Sequence, residues 1–433
     1  MKLNYVRTFL LGFGFFGVSA IWGIYNAFVP VFLATRFHLS PVWIGFFITL
    51  DNIAALLIQP PVGAWSDKLR TPIGRRMPFI LVGAPVGAVA FGLIPLAGAL
   101  PLFVACTSTL LLSMALWRTP VVALMPDITP SQFRSQANGI INFMGGVGAI
   151  AAYFGGAALY KMNSAFPFWM GSALVLVSSA LVLAFIREPK TYESSEVAVS
   201  EAQPGLLQSL KIIFQEHEKS ALRLLLAIFC WLLAYSAIEG FFTLYALNHL
   251  GMNEADSTRL LGQLSLVFVI FALPSGYLGG KVGRRPVIGA GIILMGALML
   301  AIYYLPVATL NKPLTSLPVL GVVPVIGALL MLTGIAWACI NIHALPMIVD
   351  MTNDARVGTY TGLYYLFSTL AAIIGPNMNG WIVQLSGRNY NTIMLVAPIF
   401  MAIAFVLLLG VRRGEAVILA TPDAATPDAA RSM

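Results

Sequence analysis

The sequence predicts an all-α integral membrane protein with twelve transmembrane helices in two parallel six-helix repeats and both termini cytoplasmic. Three observations predict it. Of the 433 residues 59% are hydrophobic and only 10% charged, with a mean hydropathy of +0.86, more apolar surface than a water-soluble domain can bury. Apolar runs of about 20 residues, the length that crosses a bilayer as a helix, recur twelve times. Two kinds of polar loop also appear once in each half, at matching places in the order of the runs.

The first six runs lie at about 9–33, 42–64, 79–98, 101–125, 137–160 and 166–186, and the second six at about 221–247, 259–280, 286–305, 321–347, 358–384 and 391–411. The N-terminus, with Lys2 and Arg7 before an apolar run and Val18-Ser19-Ala20 inside it, has the look of a signal peptide. The run continues to about Ala34, too long for a signal sequence, so it is read as an uncleaved first helix. With the N-terminus inside, cytoplasmic segments hold 19 of the 25 Lys and Arg, and the opposite loops hold Arg36, Lys161, Arg259, Lys312 and Arg388, leaving Arg118 within a span. That bias sets the orientation. Residues 1–186 thus form a first six-helix bundle, 187–220 a cytoplasmic linker with a short amphipathic helix around Leu206–Phe214, and 221–411 a second bundle. Residues 412–433, with Thr421-Pro-Asp-Ala-Ala and its copy, form a disordered cytoplasmic tail with nothing to bury.

The first recurring loop is Gly63-Ala-Trp-Ser-Asp67, then Gly74-Arg75-Arg76-Met77-Pro78-Phe79-Ile80. It returns in degenerate form as Gly276-Tyr-Leu-Gly-Gly280, then Gly283-Arg284-Arg285. The second is Asp127-Ile-Thr129 with Gly139 twelve residues on, echoed by Asp350-Met-Thr352 and Gly362. Such internal repetition marks a duplicated fold. Gly63, Asp67, Gly74, Arg75, Arg76, Asp127, Arg284 and Arg285 are read as gating residues. Asp67 beside Arg75 and Arg76 forms a charge latch expected to break when the cytoplasmic side opens; the same residues also satisfy a purely topogenic charge run.

These motifs resemble the major facilitator superfamily over nearly the whole chain, to about Arg413. The stretch Gln59-Pro60-Pro61-Val62-Gly63, Ser66-Asp67, the four extra residues before Gly74-Arg75-Arg76, and Pro78-Phe79-Ile80 resemble more closely the sucrose/proton symporter branch of the glycoside-pentoside-hexuronide cation symporters. Met77 replaces the third Arg usual in that motif, and Gly280 stands in the second copy where the first has Asp67. Val122 fills the place of an Arg that plant members carry before Ala-Leu-x-x-Asp, while Arg118 stands one turn earlier on the same helix face. The resemblance implies a substrate cavity at the midplane between the repeats, with alternating access by rocking of one repeat against the other.

Three ionisable residues fall inside spans: Asp51, Arg118 and Glu239. Each costs roughly 2.5–3.5 kcal/mol at a helix centre, so each is expected to face a cavity or a partner. Asp51 and Arg118 are offset by about 9 Å along the membrane normal at 1.5 Å per residue, a gap an extended Arg largely bridges. An Asp51–Arg118 pair serves proton coupling if the Arg withdraws and the carboxylate takes a proton, or orients helices if it never breaks. Glu239 is a coupling residue, an extracellular gate or a wet cavity wall.

Sugar recognition requires aromatic faces and amides or charges for hydroxyls. Spans one, four, seven and ten supply Trp22, Tyr25, Asn26, Trp117, Arg118, Tyr235, Glu239, Trp337, Asn341 and His343, with Asn52, Asn142 and Asn377 from their neighbours. The glycines between 145 and 156 read as close helix packing. No phosphate-binding loop, metal cluster or catalytic triad is found, and Cys106, Cys230 and Cys339 lie far apart in apolar spans, so no enzyme activity and no cofactor are expected. A proton-coupled sugar symporter for a disaccharide or glucoside such as sucrose or maltose, a proton antiporter exporting drugs or metabolites, and a non-transporting receptor remain as readings. The partners expected are a sugar, protons and the bilayer of the cell membrane around a monomer; the net charge of +8 is assigned to topology, not to nucleic acid.

Overall fold

Hydropathy alone accounts for most of the architecture in the computed structural model, which describes residues 4–129, 133–188, 206–215, 218–318, 320–352 and 356–414. Among the described residues twelve helices are long and apolar enough to cross a membrane. The first six are α1 (Tyr5–Thr35), α2 (Pro41–Lys68), α3 (Met77–Leu93), α4 (Leu100–Ile128), α5 (Arg134–Tyr160) and α6 (Phe166–Phe185). α1 starts at Asn4, whose side-chain oxygen accepts the Arg7 N–H at 3.0 Å and caps the first turn, and it runs unbroken through the segment that resembles a signal sequence.

A short helix, α7 (Leu206–Gln215), lies where the amphipathic segment is expected, with Ile213 buried and Phe214 and Lys211 exposed. The second set departs from the expected spans in two places. Span seven breaks after Glu239 into α8 (Ser220–Glu239) and α9 (Phe242–Asn248). After α10 (Glu254–Val282) and α11 (Arg284–Tyr304), the connection folds into one turn, α12 (Val307–Leu310), and a two-stranded antiparallel hairpin, β1 (Pro313–Leu317) with β2 (Gly321–Pro324). The hairpin turns at Gly321, whose φ of 69° suits glycine. The helices α13 (Val325–Val349), α14 (Val357–Leu385) and α15 (Thr392–Leu409) complete the chain. The expected tail lies outside the described residues from 415 onward, as do residues 189–205 of the expected linker.

Packing follows the duplication. In the first repeat α1 packs on α5 and α6, α3 on α4 and α6, and α2 on α4; in the second, α8 packs on α14 and α15, α11 on α13 and α15, and α10 on α13. The same five pairings therefore occur twice, in register. Small residues permit the tightest of them: a Cβ at Gly148 of α5 would overlap the Phe16 carbonyl of α1, so the two backbones touch. The repeats meet along two seams, α2 with α14 and α5 with α10.

Candidate functional site

Two polar features stand out: a charge cluster at the end bearing the basic loops, called here the basic end, and a large cavity between the repeats. In the cluster, Gly74 (φ 119°) turns the chain after α2 and delivers Arg75 and Arg76 to the start of α3. Asp127, at the end of α4, accepts from Arg75 Nη2 at 2.6 Å and from Arg76 Nε at 3.0 Å. Arg76 also donates to Asp67 and Ser66. Glu188, just past α6, accepts the backbone N–H groups of Arg75, Arg76 and Met77 at 2.9, 2.8 and 2.9 Å; placing a carboxylate on the bare N–H groups at the start of α3 also complements the helix dipole. A Cβ on Gly63 would lie 3.5 Å from the Thr119 methyl of α4. In the second repeat Arg284 pairs with Asp350 at 2.5 Å and donates to the Gly414 carbonyl, while Arg285 donates to the Leu409 carbonyl.

In each cluster the partners just named belong to one repeat. The cavity's mouth lies at the basic end, and the Asp67, Arg75, Arg76 and Asp127 contacts of the expected latch are formed in this arrangement. The cluster ties the α2–α3 turn to the ends of α4 and α6.

The cavity encloses about 2510 Å³. Tyr5, Gln59, Asn138 and Tyr277 line its mouth at the basic end, and Trp22, Tyr153, Tyr235 and Glu239 lie deeper. Of the residues expected at a site, Trp22, Asn26, Asn52, Arg118, Asn142, Glu239, Trp337 and Asn341 are on its wall. Tyr235 and Trp337 stack at 3.8 Å between centroids with planes 4° apart, so α8 and α13 present one aromatic slab. Asn142 donates to the Asn138 carbonyl and side-chain oxygen at 2.8 and 3.0 Å.

Five expected residues are elsewhere. Tyr25 is buried with its ring edge-on to Trp22 at 5.6 Å. Trp117 is buried between α4 and α3, where a Cβ on Gly83 would lie 2.7 Å from it. His343 packs against Gly279 of α10, with Nε2 3.2 Å from Ser275 Oγ and 3.0 Å from the Ser275 carbonyl, so it is a bonded packing residue. Asn377 Nδ2 donates across the α2–α14 seam to Thr49 Oγ1 at 3.0 Å. Asp51 stands just behind the wall and accepts from Asn52 Nδ2 at 2.8 Å. Asp51 and Arg118 lie within each other's electrostatic range, but no ion pair joins them among the described residues; the expected contact is not formed in this arrangement.

The wall also includes Tyr153 of α5 and Tyr364 and Tyr365 of α14, residues outside the expected set. A signal for α5 exists in the sequence: Asn138, Asn142, Gly145, Ala149 and Tyr153 recur every three or four residues and make one small or polar stripe on an otherwise apolar helix.

A sucrose transport protein of Arabidopsis thaliana is 25% identical over 192 residues, covering 39% of this chain and 32% of that protein, so the chain matches about a third of the plant protein's length. The fosmidomycin resistance protein of Escherichia coli strain K12 is 26% identical over 386 residues, 87% of this chain and 84% of that one. Among solved structures, a bacterial homolog of the human lysosomal transporter Spinster, inward-facing and unoccupied, superposes with a TM-score of 0.73 at 15% identity over 95% of this chain and 98% of its own. The nucleoside transporter NupG does so with 0.69 at 17% identity over 94% and 99%. At these identities the two structures speak to the fold alone. The family model for the Major Facilitator Superfamily matches residues 11–268 and 260–427, and with twelve spans, duplicated packing and a central cavity open at one end, the chain belongs to that superfamily of membrane transporters.

Proposed function

We propose that the protein is a proton-coupled symporter of a sugar, a disaccharide or glucoside such as sucrose or maltose, working by alternating access as a monomer in the cell membrane with both termini in the cytoplasm. One observation carries the reading. Six of the seven amide side chains on the cavity wall, Asn26, Asn52, Gln59, Gln136, Asn138 and Asn142, belong to the first repeat, as does Arg118 on the same wall, with Asn341 on the second. Amides and a guanidinium supply the donors and acceptors that sugar hydroxyls exchange for water, and Trp22 with the Tyr235–Trp337 slab supplies flat apolar faces for the C–H side of a ring. The partial likeness to a plant sucrose transport protein supports the same cargo. The carboxylates Asp51 and Glu239 supply titratable groups at and behind the wall, and the bias of Lys and Arg to one set of loops supports the orientation.

Proton-coupled export of drugs or metabolites is the second reading. It is favoured by the resistance protein whose likeness covers 87% of the chain and by Glu239 among Tyr153, Tyr235 and Trp337, since aromatic rings around a carboxylate suit organic cations.

Uptake of labelled sugars into proteoliposomes distinguishes the readings. Accumulation of a neutral disaccharide or glucoside under a pH gradient, acid outside, with no requirement for sodium, is the result expected. Accumulation driven by a sodium gradient and indifferent to pH overturns proton coupling. Sugar indifference combined with proton-driven extrusion of organic cations overturns symport in favour of export.

A further inference from the structure

The second copy of the basic motif lacks an acid that the first has, and its second arginine goes elsewhere. In the first repeat Arg75 and Arg76 share Asp127, and the buried Arg76 also pairs with Asp67. In the second, Arg284 pairs with Asp350 as Arg75 does with Asp127, but Gly280 stands where the first copy has Asp67. Arg285 donates to the Leu409 carbonyl at the end of α15. α15 packs on both α11 and α8, and from α8 Arg223, in the first turn, donates to the Gly410 carbonyl at 2.7 Å. Two neighbouring helices thus each lay an arginine on the same helix end.

We propose that Arg223 and Arg285 form a binding site for the phosphate headgroup of an anionic phospholipid in the leaflet at the basic end. The last carbonyls of a helix have no partner within it, so they anchor the two guanidiniums in place. A guanidinium carries five N–H donors in a planar fork matched to phosphate, and the bond to the carbonyl takes one of them. Gly410 makes the room: a Cβ there would lie 2.9, 3.0 and 3.1 Å from Cδ, Nη1 and Nε of Arg223, so this side chain lies flat over the helix end. Just beyond, the Arg412 N–H donates to Ser220 Oγ at 2.8 Å and Arg413 pairs with Glu218 at 3.2 Å, which ties the chain after α15 to the start of α8.

What occupies the site follows from the helix that ends in it. Ile399, Ile403, Val406 and Leu409 recur every three or four residues along α15, and all four are exposed. They make an apolar stripe on a membrane span, and the stripe leads straight to the arginines. Acyl chains along the stripe and a phosphate on the guanidiniums satisfy both features at once, as in basic pockets between spans that hold lipid headgroups; a water-soluble anion would use only the second. The first repeat is built differently at the matching place. Arg7 of α1 donates to the Arg187 carbonyl just past α6, as Arg223 does to Gly410, but Arg76 is taken by Asp67 and Asp127. The missing acid at Gly280 therefore marks which repeat carries the site.

The test titrates the full chain in detergent with phosphatidylglycerol or phosphatidylethanolamine and reads retained lipid by native mass spectrometry and the thermal unfolding midpoint. Phosphatidylglycerol is expected to be retained more tightly than phosphatidylethanolamine and to raise the midpoint further. Arg223→Gln and Arg285→Gln are each expected to weaken phosphatidylglycerol retention roughly tenfold, the scale of a hydrogen bond to a charged group. Gly280→Asp, at a position where an added Cβ meets nothing, restores the acid of the first copy and is expected to weaken retention with both arginines still present. Arg7→Gln removes the same charge from the basic end of the first repeat and is expected to leave retention unchanged. Arg223→Lys, which keeps the charge and loses the fork, weakens retention severalfold and serves where a Gln variant yields no folded protein. Equal retention of the two lipids, a loss in Arg7→Gln as large as in Arg223→Gln, or a midpoint raised as far by inorganic phosphate alone overturns the proposal. No sugar is present, so a failed sugar assignment leaves this outcome untouched.

Discussion

Asp51 stands one residue from the cavity wall and Asn52 on it, and the hydrogen bond between them makes the amide an intermediary between the carboxylate and the cargo space. On the symport reading, Asp51→Asn keeps the shape at that position and removes the proton-accepting charge. Counterflow exchange is therefore expected to persist within a few-fold of wild type while accumulation against a gradient is lost. Arg118→Ala, which strips a multidentate donor from the wall, is expected to weaken substrate binding roughly ten- to hundredfold, in line with about 1.5–3 kcal/mol for hydrogen bonds to a charged group. Concentrative uptake by Asp51→Asn equal to wild type would place coupling on Glu239 instead. Single residues were only partly legible in the sequence, for a physical reason. A helix that is apolar all round, such as α4 or α13, carries no stripe to say which face meets water. Trp117 and Arg118 are neighbours, yet one is sealed against Gly83 and the other is wet; His343 looks like a relay and is a packing residue tied to Ser275.

Elements were more legible than residues, because bilayer thickness sets span length whatever the cargo. The exceptions are informative. Residues 321–324 are as apolar as the helix they precede and merge with it in hydropathy, but they pair as β2 of the hairpin. The break after Glu239 carries Gly240 and two aromatic residues, which hydropathy reads as a continuous span. The charge cluster was legible as a motif while its full membership was not, because sequence does not say that Glu188 comes back onto the N–H groups of Arg75, Arg76 and Met77. Its architecture ranks its carboxylates. Asp127 is 11% exposed and serves two arginines, whereas the Asp67 side chain is 55% exposed and serves one. Asp127→Asn removes the carboxylate that Arg75 and Arg76 share, leaving Arg76 its pair with Asp67, a loss of up to about 3 kcal/mol by analogy with broken buried pairs, against under about 1 kcal/mol for a wet pair. The thermal unfolding midpoint in detergent is expected to fall much further for Asp127→Asn than for Asp67→Asn, and transport to fall in the same order. Equal shifts would show that the cluster does not centre on Asp127.

The whole molecule is the scale at which the sequence is most explicit, since duplication predicts that every packing choice in one repeat recurs in the other, and five helix pairings do. The cavity breaks that symmetry, with six of its seven lining amides on the first repeat while aromatic rings line both walls, which loop motifs do not reveal because they lie at the membrane surface. The grip of Glu188 on the N–H groups at the start of α3 has a consequence for the chain as a polymer. It fixes one end of the tether between the repeats to the first repeat, leaving seventeen residues before Leu206, where α7 begins against the second repeat. Fully extended, seventeen residues reach at most about 60 Å at 3.3–3.6 Å per residue, and doubling the length of such a segment changes closure entropy by only about 0.6 kcal/mol. A flexible ten-residue Gly/Ser insertion after Glu201 is accordingly expected to leave initial uptake within about twofold of wild type, while Glu188→Ala, which frees the leash at its root, lowers the unfolding midpoint without lengthening the chain. A large loss of uptake from the insertion alone would mean that the tether transmits force between the repeats instead of merely keeping them together.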